Sequence, residues 1–219
     1  MGQAVATPSL PVQIHRQWDR VFFSAMALAL VATAFIGFSP TYYLAQAGSK
    51  PLTPLMHLHG LVATAWMLVY LAQNGLVAGR RVDLHRKLGS WAMYLALIFV
   101  VLTTLTAFAS APRLRVFQAG AVLMFMAFVV GGWVSRRQPD SHKRFMLLAT
   151  IAMIPPAFAR LQLPFPGPVG ANIGGLLFLI PPLIYDLATR RRLHPVLLWG
   201  GLLMIIMLPA RIELTKLLA

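Results

Sequence analysis

Three histidines recur in nearly the same polar phrase of an otherwise apolar chain: His85 in "RRVDLHRKLG", His142 in "RRQPDSHKRFM" and His194 in "RRRLHPVLLWG". His142 lies 57 residues after His85, and His194 lies 52 after His142, about the length of one helical hairpin. A weaker copy, "IHRQWDR", carries His15. Asp83 and Asp140 stand two residues before their histidines, and Asp186 stands eight before His194. A helix N-terminus disfavours imidazolium, and neutral imidazole is the form that binds transition metals or haem iron. Carboxylates complete such a shell or orient the ring through its second N–H. The expected metal ligands are therefore His85, His142 and His194, with Asp186, Asp140 and Asp83 as further ligands or supports. Three histidines with carboxylates suit zinc, iron or manganese, and haem b is the alternative. The chain has no cysteine, which removes thiolate sites, iron–sulfur clusters and c-type haem attachment.

A second polar set falls at the other end of the hydrophobic segments. "PLTPLMHLHGLVATAW" holds His57 and His59, about 200° apart on a regular helix, so both face one point only if the first turn is irregular. With Tyr43, Arg160 and Arg211 they make a candidate pocket for an anionic or carbonyl-bearing ligand. The plainer readings are an aromatic belt for Tyr43, pairing or snorkelling for the arginines, and loop contacts for the histidines.

Fifty-eight per cent of the 219 residues are hydrophobic and 11% are charged, too few charges to cover a soluble domain. Seven apolar stretches, 20–46, 53–79, 86–110, 114–135, 143–162, 171–189 and 195–217, approach the ~20 residues that cross a bilayer as helix. Lipid cannot satisfy an open backbone, so helix is the expected form. The fold expected is an all-α integral membrane protein: a seven-transmembrane-helix bundle (20–219) of hairpin repeats, after a cytoplasmic segment (1–19). Thirteen of the 19 basic residues fall on one side, among them Arg80, Arg81, Arg136, Arg137, Lys143 and Arg144. The positive-inside rule then places the N-terminus in the cytoplasm and the C-terminus in the periplasm. The net charge of +14 is accounted for by topology and anionic headgroups, and nucleic acid is not an expected partner. No cleavable signal peptide is expected, because the first apolar stretch is long enough to remain as an anchor.

Local chemistry adds four expectations. Asp83 and Asp140 read as N-caps, Pro195 as a first-turn proline, and Pro155/Pro156 and Pro181/Pro182 as kinks in the fifth and sixth helices. Asp186, acidic among apolar neighbours, needs a partner, and an arginine or a metal would serve.

Through "TYYL", "HLHG", "TAW", "RRVDLHRKLG", "HKRFMLLAT" and "YDLATRRRLHPVLLWGG", the sequence resembles a group of uncharacterised bacterial multi-pass membrane proteins over nearly its whole length from about residue 19. More loosely it is similar to families related to membrane b-type cytochromes and to oxidase assembly factors. That similarity implies haem or metal handling in the bacterial inner membrane, although b-type cytochromes carry their histidines within helices and not at helix ends. The expected function is a histidine-rich metal- or haem-binding protein, redox-active, a metal-dependent enzyme or an assembly factor. The alternatives are a small-molecule transporter or receptor, or a non-catalytic partner subunit of a membrane complex. No nucleotide, serine-hydrolase or metalloprotease motif is present.

Overall fold

The structure, a computed structural model, describes residues 12–44, 51–110, 112–161 and 167–217. The side chains of residues 12–16, 112–114, 116, 117, 167–169 and 208–217 lie outside the description, so His15 and Arg211 carry no structural account.

Among the described residues the chain is helical, without strands. Helices α1 (Val12–Phe38), α2 (Pro54–Ala78), α3 (Val82–Phe108) and α4 (Pro112–Val134) follow one another, each packed on the next. Then come α5 (Pro139–Ala152), the short α6 (Pro155–Phe158), α7 (Gly167–Leu177), α8 (Ile180–Arg190) and α9 (Pro195–Leu217). Among the described residues four helical stretches are long and apolar enough to cross a membrane: Gln17–Tyr43, Pro54–Ala78, Val82–Phe108 and Gly170–Arg190. By helix length and composition the chain is a membrane protein. Its surface agrees: Leu28, Ile36, Trp91, Leu97, Val101 and Trp199 are exposed along helix flanks where a soluble protein would carry charge.

Helix α5 is the axis of the bundle. Leu147 through Ala152 are all buried, and the helix touches α1, α4, α7 and α9. A helix buried on every side has no polar face to display, which is why its outer half reads as a continuous apolar run.

Proline determines where the helices stop. Pro40 has no N–H to return to the preceding turn, and α1 widens there into a π-helical turn over Ser39–Tyr43, closed by Leu44 N–H on the Ser39 carbonyl at 2.8 Å. The expected kinks at Pro155/Pro156 and Pro181/Pro182 are full interruptions. Helix α5 ends at Ala152 and α6 restarts at Pro155, while α7 ends at Leu177 and α8 restarts at Ile180. Each proline pair occupies the first turn of the new helix, where a missing N–H costs nothing. Thr53 caps α2 by accepting from Met56 N–H at 3.3 Å. Asp83 and Asp140 are not caps: Arg81 and Gln138 hold those positions, and each aspartate lies in the first turn, where its charge meets the helix dipole.

Candidate functional site

At the mouths of α3 and α5 the two closest copies of the repeated phrase superpose in register. His85 and His142 are each the fourth residue of their helix, with backbone N–H groups on the carbonyls of the capping residues Arg81 (3.0 Å) and Gln138 (2.9 Å). Their rings meet perpendicular, with centroids 6.1 Å apart. His142 Nδ1 donates to the Gly132 carbonyl at 2.8 Å, which leaves Nε2 with the free lone pair in the neutral ring. His85 Nδ1 is buried and has no hydrogen-bond partner among the described residues, and neither has the buried Oε1 of Gln73. The Gln73 backbone carbonyl lies beside the His85 ring without completing a hydrogen bond to Nδ1.

His194 does not join this pair. It precedes Pro195, so it caps α9 instead of standing one turn inside it, and is displaced from the register of the other two by about 6 Å along a helix axis. Its Nδ1 accepts from Val196 N–H at 3.2 Å, and its own N–H donates to Asp186 Oδ2 at 3.0 Å. Among the described residues no three histidines or carboxylates are grouped so as to hold a metal ion. The expected three-histidine convergence is replaced by a pair.

The aspartates are taken up by cations. Asp186, 1% exposed, is gripped by the fully buried Arg144, whose Nε donates to Oδ2 at 3.0 Å and whose Nη2 donates to Oδ1. Of the two partners open to Asp186, an arginine is the one present. Arg144 Nη1 also donates to the Asp140 carbonyl at 2.8 Å. Asp140 receives Arg190 Nη2 at 2.5 Å and Lys143 Nζ at 2.8 Å, and Lys143 continues to Asp19 Oδ2 at 2.7 Å. Tyr185 O–H closes the set on Asp19 Oδ1 at 2.8 Å. Three carboxylates and three cations thus join α1, α5 and α8, with no carboxylate of the set left over for a metal. Asp83 faces Arg81 at 3.9 Å on the open surface, a contact worth at most about 1 kcal/mol.

Burial opposes the charge on Asp140, but the hydrogen bonds and positive charges of Arg190 and Lys143 outweigh it and hold the carboxyl well below the usual carboxylate range. His194 is pushed down from its ordinary value, first by burial and then by Arg144 and Arg190, against the smaller pull of Asp186 and Asp140. Below pH 6.5 the unfolded chain therefore binds a proton at His194 more readily than the folded one, and stability falls as the pH drops from there. Protonation also removes the Nδ1 acceptor from Val196 N–H. Asn at position 194 keeps a cap acceptor without titrating. H194N should flatten the decline of the unfolding temperature between pH 6.5 and 5, and an unchanged profile would remove His194 as its source.

The described members of the outer set separate into four local contacts. His57 is exposed and lies against Tyr42, whose O–H donates to the His57 carbonyl at 3.1 Å. His59 turns to α3, stacked on Phe99 with Nδ1 3.4 Å from Thr103 Oγ1. Arg160, in the turn after α6, folds onto α1 and back onto α6, with Nε on Thr41 Oγ1 at 3.2 Å, Nη1 on the Pro156 carbonyl at 2.7 Å and the guanidinium over Phe38. Tyr43 O–H meets Thr64 Oγ1 at 2.6 Å. The 200° between His57 and His59 is preserved, because α2 is regular from Pro54 onward, and each ring faces a different neighbour.

Gln73 and Arg144 are the residues the sequence reading passed over. An amide inside the apolar run "LVYLAQNG" is the signal for the first; Arg144 was hidden by its place in a basic phrase that already had a topological explanation. Compared with known protein families, curated proteins and solved structures, the chain matches none.

Proposed function

We propose that this chain is a seven-span protein of the bacterial inner membrane, N-terminus in the cytoplasm and C-terminus in the periplasm, that holds a transition-metal ion or haem iron on His85 and His142. The observation that carries the reading is the unpartnered, buried Nδ1 of His85 beside the ring of His142. A buried polar atom left unpaired costs about 1–3 kcal/mol, and two imidazoles at a helix mouth are the ligands that zinc, iron and manganese proteins use. Metal–nitrogen bonds of about 2.0–2.1 Å separate the ring centres of two ligating histidines by roughly 5–6 Å, close to the observed spacing. The Gln73 amide oxygen is the third donor at hand, and the Gly132 carbonyl orients His142 as an outer partner orients a ligand. Redox activity or a part in assembling a larger membrane complex is the role such a centre fits. The surrounding Arg80, Arg81, Arg136 and Arg137 face anionic headgroups and fix the orientation.

Elemental mass spectrometry of protein purified in mild detergent without chelator, with an absorption spectrum of the same sample, tests this. About one equivalent of metal is expected, with a Soret band if the iron is in haem. H85A and H142A should each lower occupancy more than tenfold, while H194A retains it. A protein that stays empty after metal and haem are supplied removes the reading.

A further inference from the structure

Of the seven buried side-chain nitrogen and oxygen atoms without a hydrogen-bond partner among the described residues, three sit on α2: Trp66 Nε1, Tyr70 Oη and Gln73 Oε1. Spacings of four and three residues set them along one stripe of the helix, and Trp66 and Tyr70 are 4% and 6% exposed. His85 Nδ1, a fourth such atom, stands across from the stripe on α3, beside Gln73. Gly89, one turn further along α3, admits the Gln73 side chain: a Cβ there would lie 3.2 Å from Nε2. Tyr70 O–H lies next to the Asn74 side chain without completing a hydrogen bond, so the phenol reaches the turn that carries Gln73. Asn74 Nδ2 is itself spent on the Tyr70 carbonyl at 2.8 Å.

These atoms sort by chemistry. His85 Nδ1 and Gln73 Oε1 can offer lone pairs to a cation, whereas the Trp66 indole can only donate and the Tyr70 phenol has a proton to donate. Acceptors beside donors suit a cation that carries an anion. Charge gives the same answer. His85, His142 and Gln73 are neutral ligands, so a divalent metal on them keeps its whole charge. Asp140 and Asp186 cannot offset it, being held by Arg190, Lys143 and Arg144. A charge among apolar neighbours must be balanced, and here the balance comes from outside the protein. Metal centres with three protein ligands keep a fourth position for such a ligand. Arg86, whose charge acts on His85, belongs to the rim of cations that draws anions to this mouth. Beyond Tyr70, Trp66 packs edge-on against Phe125 with centroids 4.9 Å apart, and Phe125 meets Phe99 at 4.9 Å. Those rings close the far end, so only a small ligand fits.

We propose that a small anion binds the metal ion held by His85, His142 and Gln73, and that Tyr70 O–H donates a hydrogen bond to it. The inference rests on the non-haem form of the metal reading and names its ligand class: a small anion, not a bulky lipid.

An azide titration of the detergent-solubilised full chain tests this, with cobalt(II) as the metal and visible absorption as the readout. A saturable spectral change is expected, and Tyr70→Phe should weaken azide binding about tenfold while metal content by elemental mass spectrometry stays the same. Because the hydroxyl has no partner among the described residues, the metal-free variant should unfold no more easily than the parent chain. Equal azide affinity in Tyr70→Phe, or no response to azide in either chain, overturns the inference and leaves the metal reading standing. A Soret band in the purified protein also overturns it, since haem iron held by both histidines has no position to give. Absence of any bound metal sinks both. A metal-free Tyr70→Phe chain that is much less stable, or does not fold, shows that the hydroxyl serves folding and overturns the inference as well.

Discussion

Removing Asp186 should be among the most damaging single changes in this protein, and removing its partner should hurt less. Arg144 is fully buried and Asp186 is 1% exposed, so neither charge finds water when the other is deleted. Breaking a buried pair in this way costs about 3–5 kcal/mol. The asymmetry follows from chemistry: a stranded carboxylate can take up a proton, whereas a guanidinium with a pKa above ~12 cannot. Asp186→Leu should therefore lower the unfolding temperature by roughly 10 °C or more, and Arg144→Met by less. Combining the two should recover a large part of the loss, since a matched apolar pair is often as stable as the ions it replaces. Recovery stays incomplete because His194 N–H, 3.0 Å from Asp186 Oδ2, then lacks an acceptor. Thermal unfolding of the two single variants and the double variant measures the coupling; single-variant losses that simply add in the double would sink this account.

The apolar stretches were legible because a hydrocarbon environment leaves a long unbroken record in composition, and each of the seven falls on helix over most of its described length. Their ends were less so. Helix α1 begins at Val12, well before the apolar run, because the charged turn around Asp19 is held by Lys143 and Tyr185 from α5 and α8. Hydropathy records what lipid would accept, and those residues are fixed by other helices. Arg144 shows the same limit within one phrase. Beside Lys143 in "HKRF" it reads as one more orienting charge, yet the rotation of α5 turns it inward onto a carboxylate 42 residues away. The sequence marked Asp186 as needing a partner and could not say which, since that depends on how two helices are rotated. The histidine repeat failed for a local reason: Pro195 forces His194 outside the helix that His85 and His142 stand within. Gln73 became visible only when its neighbours left its oxygen without a donor.

Two glycine substitutions should move stability in opposite directions, and the contrast tests how the interrupted helix is held. At Gly37 an added Cβ would lie 2.4 Å from the Ala157 oxygen, 2.8 Å from its carbonyl carbon and 2.9 Å from its Cα. All three are backbone atoms of the four-residue helix α6, which is packed between α1 and α7 and cannot rotate a side chain aside. Gly37→Ala must push α6 away from α1, and overpacking of this kind costs about 1–3 kcal/mol. At Gly75 nothing lies within 4 Å of an added Cβ, and the residue sits near the exposed end of α2. Gly75→Ala there should gain about 0.5–1 kcal/mol from helix propensity alone. Paired unfolding curves decide it, and equal shifts would mean that α6 yields freely.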